Sequence, residues 1–73
     1  MKLNEATENR SLIVKSMDLE PHALERLKVL GMIDNTPVTV LQKKGTGTMI
    51  INLRGTRFAL GSDLARNIEV EYA

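Results

Sequence analysis

Between Leu24 and Val40 the chain changes its apolar period in mid-course. Through Leu24, Leu27 and Leu30 the apolar residues recur at helical spacing, and from Val38 they alternate as in a strand. Gly31 stands at the join, where a left-handed residue ends a helix and sharply redirects the chain. Any fold of this sequence has to set a helix directly onto a strand across that corner. Upstream, Asp18 is a candidate N-cap and Pro21 suits the first helical turn. With Leu27 as reference, Ala23, Leu24, Leu30 and Glu20 lie within about 60° of it on the helix, while His22, Glu25 and Val29 point away. Met32 and Ile33 are expected to fold back over the last turn as the hydrophobic contact of a Schellman-type stop.

With only 73 residues there is one domain. At roughly 1.5 kcal/mol of ordering cost per residue, nearly every apolar side chain must serve one core, which leaves little for a deep active-site cavity. Residues 1–10 are polar without a period and read as a loose or peripheral N-terminal arm, with the domain proper at 11–73. Leu12 to Met17 reads as a strand with Leu12, Val14 and Met17 inward. After the helix, Val38–Gln42, Met49–Arg54 and Arg57–Leu60 read as a meander, with Gly55-Thr56 as the hairpin turn and Phe58 and Leu60 inward. Ser62 caps one helical turn, and Ile68–Tyr72 alternates as a closing strand. Five short strands manage their edges best by curling. The expected fold is mainly β, a small five-stranded, partly open barrel capped by its one long helix.

Composition removes several classes of function. There is no cysteine, which excludes disulfides, thiolate nucleophiles and Cys-based metal centres. A net charge of +1, and Phe58 and Tyr72 as the only aromatic residues, make nucleic acid an unfavourable partner, with neither a basic field nor a stacking platform. No apolar run is long enough to span a bilayer and the start lacks a signal-peptide core, so the expected location is cytoplasmic, without membrane insertion. Lys43-Lys44-Gly45-Thr46-Gly47-Thr48 looks like a phosphate loop but joins two strands and has its lysines ahead of its glycines, so it reads as a hairpin loop. No Ser, His and acid spacing supports hydrolase chemistry.

Leu27, Leu30-Gly31-Met32-Ile33 and Thr36-Pro37-Val38-Thr39-Val40 resemble the helix-to-strand passage of the FeoA family, small SH3-like barrels of bacterial ferrous-iron transport. Arg57-Phe58-Ala59-Leu60 and Asp63-Leu64-Ala65-Arg66-Asn67-Ile68-Glu69-Val70 resemble that family's closing hairpin strand, helical turn and last strand. Two departures stand beside the matches: Asp34-Asn35 replaces a usual Pro-Gly, and Gly45-Thr46-Gly47-Thr48 replaces a Leu-Gly-Asp-Pro-like segment. The resemblance implies an accessory protein rather than an enzyme, in contact with the cytosolic G-protein part of the FeoB transporter. It also implies kinship with the C-terminal domain of iron-dependent repressors. A stand-alone metal sensor and a small nucleic-acid-binding barrel are the alternatives, and self-association stays open.

Three groups of residues are candidate sites. His22, Glu25 and Asp18 could offer a weak ferrous or other divalent-metal site at the helix start, although one histidine cannot build a two-histidine, one-carboxylate centre. The plain alternative is a solvated histidine near a helix N-terminus. Arg54 and Arg57 bracket the hairpin almost opposite each other and could meet carboxylates or phosphates; otherwise they are solvated arginines neutralised by Glu69 or Glu71. Val29 becomes part of a partner surface if Met32 or Ile33 is exposed beside it, making an apolar patch rimmed by charge.

Overall fold

The computed structural model describes Met1–Ala73. A 3-10 turn (Leu3–Glu5) precedes β1 (Ser11–Met17), α1 (Pro21–Leu30), β2 (Pro37–Lys43), β3 (Met49–Leu53), β4 (Thr56–Leu60), α2 (Ser62–Ala65) and β5 (Ile68–Tyr72). The strands form one antiparallel sheet in the order β4-β3-β2-β1-β5. Register shifts between Val14 and Ser16, and between Val40 and Gln42, mark the bulges at which β1 and β2 bend. The curled sheet closes around one core of Leu12, Val14, Val38, Val40, Met49, Ile51, Leu53, Leu60, Ile68 and Val70, to which α1 adds Leu27. Met17 and Phe58 pack against this core while staying partly exposed.

The corner after α1 forms as its sequence predicts. Gly31 adopts φ 101°, its N–H donates to the Lys28 carbonyl, and the Met32 N–H donates to the Leu27 carbonyl, both at 2.9 Å. These are the paired bonds of a Schellman stop. Four residues after Gly31, Asn35 is also left-handed at φ 69°. Thr36 then turns its hydroxyl inward, accepting from the Ile33 N–H at 3.2 Å and lying 3.5 Å from the Gly31 carbonyl as donor. Thr36 is the one buried polar residue. Asn35 N–H and Val14 carbonyl, then Val14 N–H and Thr36 carbonyl, stitch the corner to β1.

Several local expectations are corrected. Asp18 is not the helix cap. Because Pro21 occupies the first helical position, Glu20 is the N-cap, and its carboxylate accepts from the His22 and Ala23 N–H groups at 3.1 and 2.7 Å. The Asp18 N–H is instead held by the Asn67 carbonyl. Gly61, not Ser62, precedes the short helix, and Ser62 makes no cap hydrogen bond. The hairpin turn is Arg54-Gly55, both with positive φ, between the paired Leu53 and Thr56.

The larger correction concerns residues 1–10, which are no loose arm. Leu3 and Ala6 are fully buried and belong to the core. Met1 exchanges backbone hydrogen bonds with Val70, and Lys2 bridges Glu69. The Met1 ammonium and Lys2 both pair with the Glu69 carboxylate and hold its pKa below the usual range. Further along, the Thr7 N–H and hydroxyl bond the Tyr72 hydroxyl, holding its pKa down, and Arg10 stacks over the Tyr72 ring at 3.8 Å. Glu8 accepts from the Lys43 N–H, and Asn9 donates to the Val40 carbonyl. The segment therefore lies along the outer edge of β5 and crosses to β2. Its polar residues give no period because the inward side chains, Leu3 and Ala6 with Met1 packed beside them, follow the turn and not a regular repeat.

Three substitutions have distinct expected outcomes. Gly31→Ala lowers stability by about 1–2 kcal/mol through backbone strain alone, because the added Cβ would meet only Leu53 Cδ2 at an ordinary 3.5 Å. Gly45→Ala, in open space with negative φ, leaves the urea midpoint unchanged. Leu3→Ala costs about 2–5 kcal/mol, which a peripheral arm would not, and thermal denaturation reads the difference.

Candidate interaction surface

One face of α1 is left without a protein partner. Val29 is 78% exposed and Leu30 43%. With His22, Glu25 and Arg26 they line a shallow hollow on the outer side of the helix. The Glu20 cap fixes where the helix begins and the Gly31 stop fixes where it ends, so this row of side chains has a set position on the barrel. Leu30 was expected in the core. Met32, drawn back by the Schellman bonds, fills the interior next to Leu27, and Leu30 is left at the rim.

From that rim the apolar surface continues inward. Ala23, Arg26, Leu27 and Leu30 of α1 face Phe58, Ala59 and Leu60 of β4 and Leu64 of α2 across a groove of about 280 Å³. That is below the roughly 300–1,000 Å³ usual for small-molecule sites, and it suits the insertion of side chains better than a whole ligand. Ile33, 47% exposed, lies on the other flank of the helix, in a hollow with Met17, Leu24 and Lys28.

The sequence-predicted site residues therefore divide. Val29 and Ile33 are exposed, but they line different hollows, on opposite flanks of α1. Met32 is fully buried and cannot contact a partner. Arg54 sits in the turn itself and Arg57 pairs with Asn52, so the two arginines are not opposite each other. Neither is neutralised by Glu69 or Glu71: β5 is the opposite edge of the sheet, and Glu69 is engaged by Met1 and Lys2. His22, Glu25 and Asp18 do not gather into a metal-holding group, and no cluster of three such side chains exists in the chain. Physically, Asp18 precedes the helix and is tied by its backbone to Asn67, while His22 and Glu25 lie on the outer helical face. Leu30 and Phe58 were missed as surface residues because periodicity assigns apolar side chains inward and does not show where a helix overhangs a barrel; Leu64 carried no reading of its side.

The FeoA domain model matches residues 1–72. The chain belongs to the FeoA family. Its structure superimposes on the FeoA protein of Chlorobium tepidum with a TM-score of 0.92 and 27% identity, covering 99% of this chain and 70% of that one. A crystal structure of an iron uptake regulatory protein (FeoA) matches with a TM-score of 0.89 and 27% identity over 100% of this chain and 97% of that one. A manganese-dependent transcriptional repressor contains the same fold, with a TM-score of 0.90 at 19% identity, and this chain covers 41% of its length. No curated protein matches the sequence. FeoA membership implies a role in ferrous-iron transport for a small accessory domain that belongs to no known enzyme family. No helix of this FeoA-family chain is long and apolar enough to cross a membrane.

The burial pattern separates two neighbouring residues sharply. Val29→Asp costs less than about 1 kcal/mol, the scale of a like-signed charge near a helix C-terminus. Met32→Ala, which empties a core position, costs about 2–5 kcal/mol. Urea denaturation of the two variants measures the contrast.

Proposed function

We propose that this FeoA-family protein is a non-enzymatic accessory protein of bacterial ferrous-iron transport, acting by contact with the cytosolic G-protein part of the FeoB transporter. The observation that carries the contact is the exposed Val29 and Leu30, rimmed by His22, Glu25 and Arg26 and continuous with the α1–β4 groove. A protein interface needs such an apolar centre with a charged rim, and a catalytic site would need convergent reactive groups. Binding through this surface fits a regulatory or assembly role and requires no chemistry from the chain itself.

Titration of the nitrogen-15 labelled protein with the G domain of the ferrous transporter from the same genome tests this reading. Amide shifts are expected on α1 around Val29 and along the groove. Val29→Asp should weaken the complex by about tenfold or more, as truncation of a central contact does. The affinity should change little with salt, whereas a phosphate-driven nucleic-acid complex would weaken steeply. Absence of shifts with the G domain would refute the partner.

A further inference from the structure

The edge strand β4 uses only half of its backbone. Its two-residue turn makes Leu53 and Thr56 the first hydrogen-bonded pair with β3, and antiparallel alternation then assigns Phe58 and Leu60 to the same set. The N–H and C=O groups of Arg57 and Ala59 consequently point away from the sheet, and no turn, loop or cap of the chain bonds to them. On the core-facing side of this free edge lies the apolar groove with Phe58, Leu30 and Leu64. At the edge itself the exposed side chains of Arg57 and, in the turn, Arg54 carry charge without an acidic partner, because both ion pairs of the chain end on Glu69.

We propose that β4 is a docking edge for an extended acidic segment of a partner protein, which adds as a further strand with acidic side chains beside Arg57 and apolar ones in the α1–β4 groove. Strand addition takes its affinity from the main-chain bonds and its selectivity from alternate side chains. Here the two alternations are set by the pleat: Phe58 and Leu60 turn toward the core side of β4 and Arg57 to the solvent side, with the small, exposed Ala59 at the groove's rim. A second copy of this chain fits the edge poorly, since β4 against β4 would crowd Arg54 and Arg57 of both copies along one short seam. The inference rests on reading the protein as a contact module and is independent of which protein supplies the segment.

The test is an NMR and calorimetric titration of the full chain with a capped peptide alternating glutamate and valine over the length of β4. Shifts at the Arg57 and Ala59 amides and at the Leu30 and Leu64 methyls are expected, with affinity falling as salt rises. Ala59→Pro removes an outward N–H without touching the ladder to β3, and it should cost roughly tenfold in affinity or more. Arg57→Glu, an exposed change that leaves the fold intact, should lose the glutamate peptide and gain the matching lysine-valine peptide. No shifts on β4, equal affinity for both peptides in the unsubstituted protein, or a β4-mediated dimer in sedimentation velocity would overturn the proposal. If the transporter G domain binds and the peptide does not, strand docking fails while the accessory reading stands. If the peptide docks on β4 and the G domain does not bind, the outcome is reversed.

Discussion

The placement of the exposed face of α1 depends on the corner at Gly31. Its left-handed backbone lets the Met32 N–H reach the Leu27 carbonyl, and that bond carries Met32 into the core. Thr36 completes the bend by occupying the carbonyl of Gly31 and the N–H of Ile33, groups that a helix end would otherwise leave to water. A valine at Thr36 would match its shape but leave the partly buried Ile33 N–H without its protein partner, at the cost of that hydrogen bond. The angle at which α1 meets β2 is therefore fixed by hydrogen bonding at the joint. Packing then follows: Leu27 anchors the helix and Leu30 is left beside Phe58 and Leu64.

Where sequence pattern and packing agree, the chain could be read directly. The alternation of Met49, Ile51 and Leu53, and of Ile68 and Val70, places the same side chains inward in the structure, because a strand has only two faces. The outward row His22, Glu25 and Val29 is similarly fixed by helical period. What could not be read depends on contacts distant in sequence. Leu3 and Ala6 are core residues only because a 3-10 turn lays them against the curled sheet, and no local period announces such a segment. Likewise, Leu30 shares the helical phase of Leu27 yet sits at the rim, a difference of depth along the helix rather than of direction.

The proposed contact residues show the same division. Val29 could be singled out because it breaks the polar face of an amphipathic helix. Arg54 and Arg57 could be singled out as cations near a turn, but their relation required the register: moving the turn by one residue places Arg54 at its apex and sets Arg57 opposite Asn52. His22, Glu25 and Asp18 do not form one ligand group because closeness in sequence at a helix start does not bring side chains together in space; Asp18 lies outside the helix, tied by its backbone to Asn67.

The two borders of the sheet are treated differently. Along β5 the first residues of the domain form a partial sixth strand through Met1, Val70, Lys2 and Glu69, whereas β4 has no such cover. A sheet with two bare borders can extend from both sides and propagate into a fibre. With one border covered and one bare, strand pairing can extend this sheet from the β4 side only.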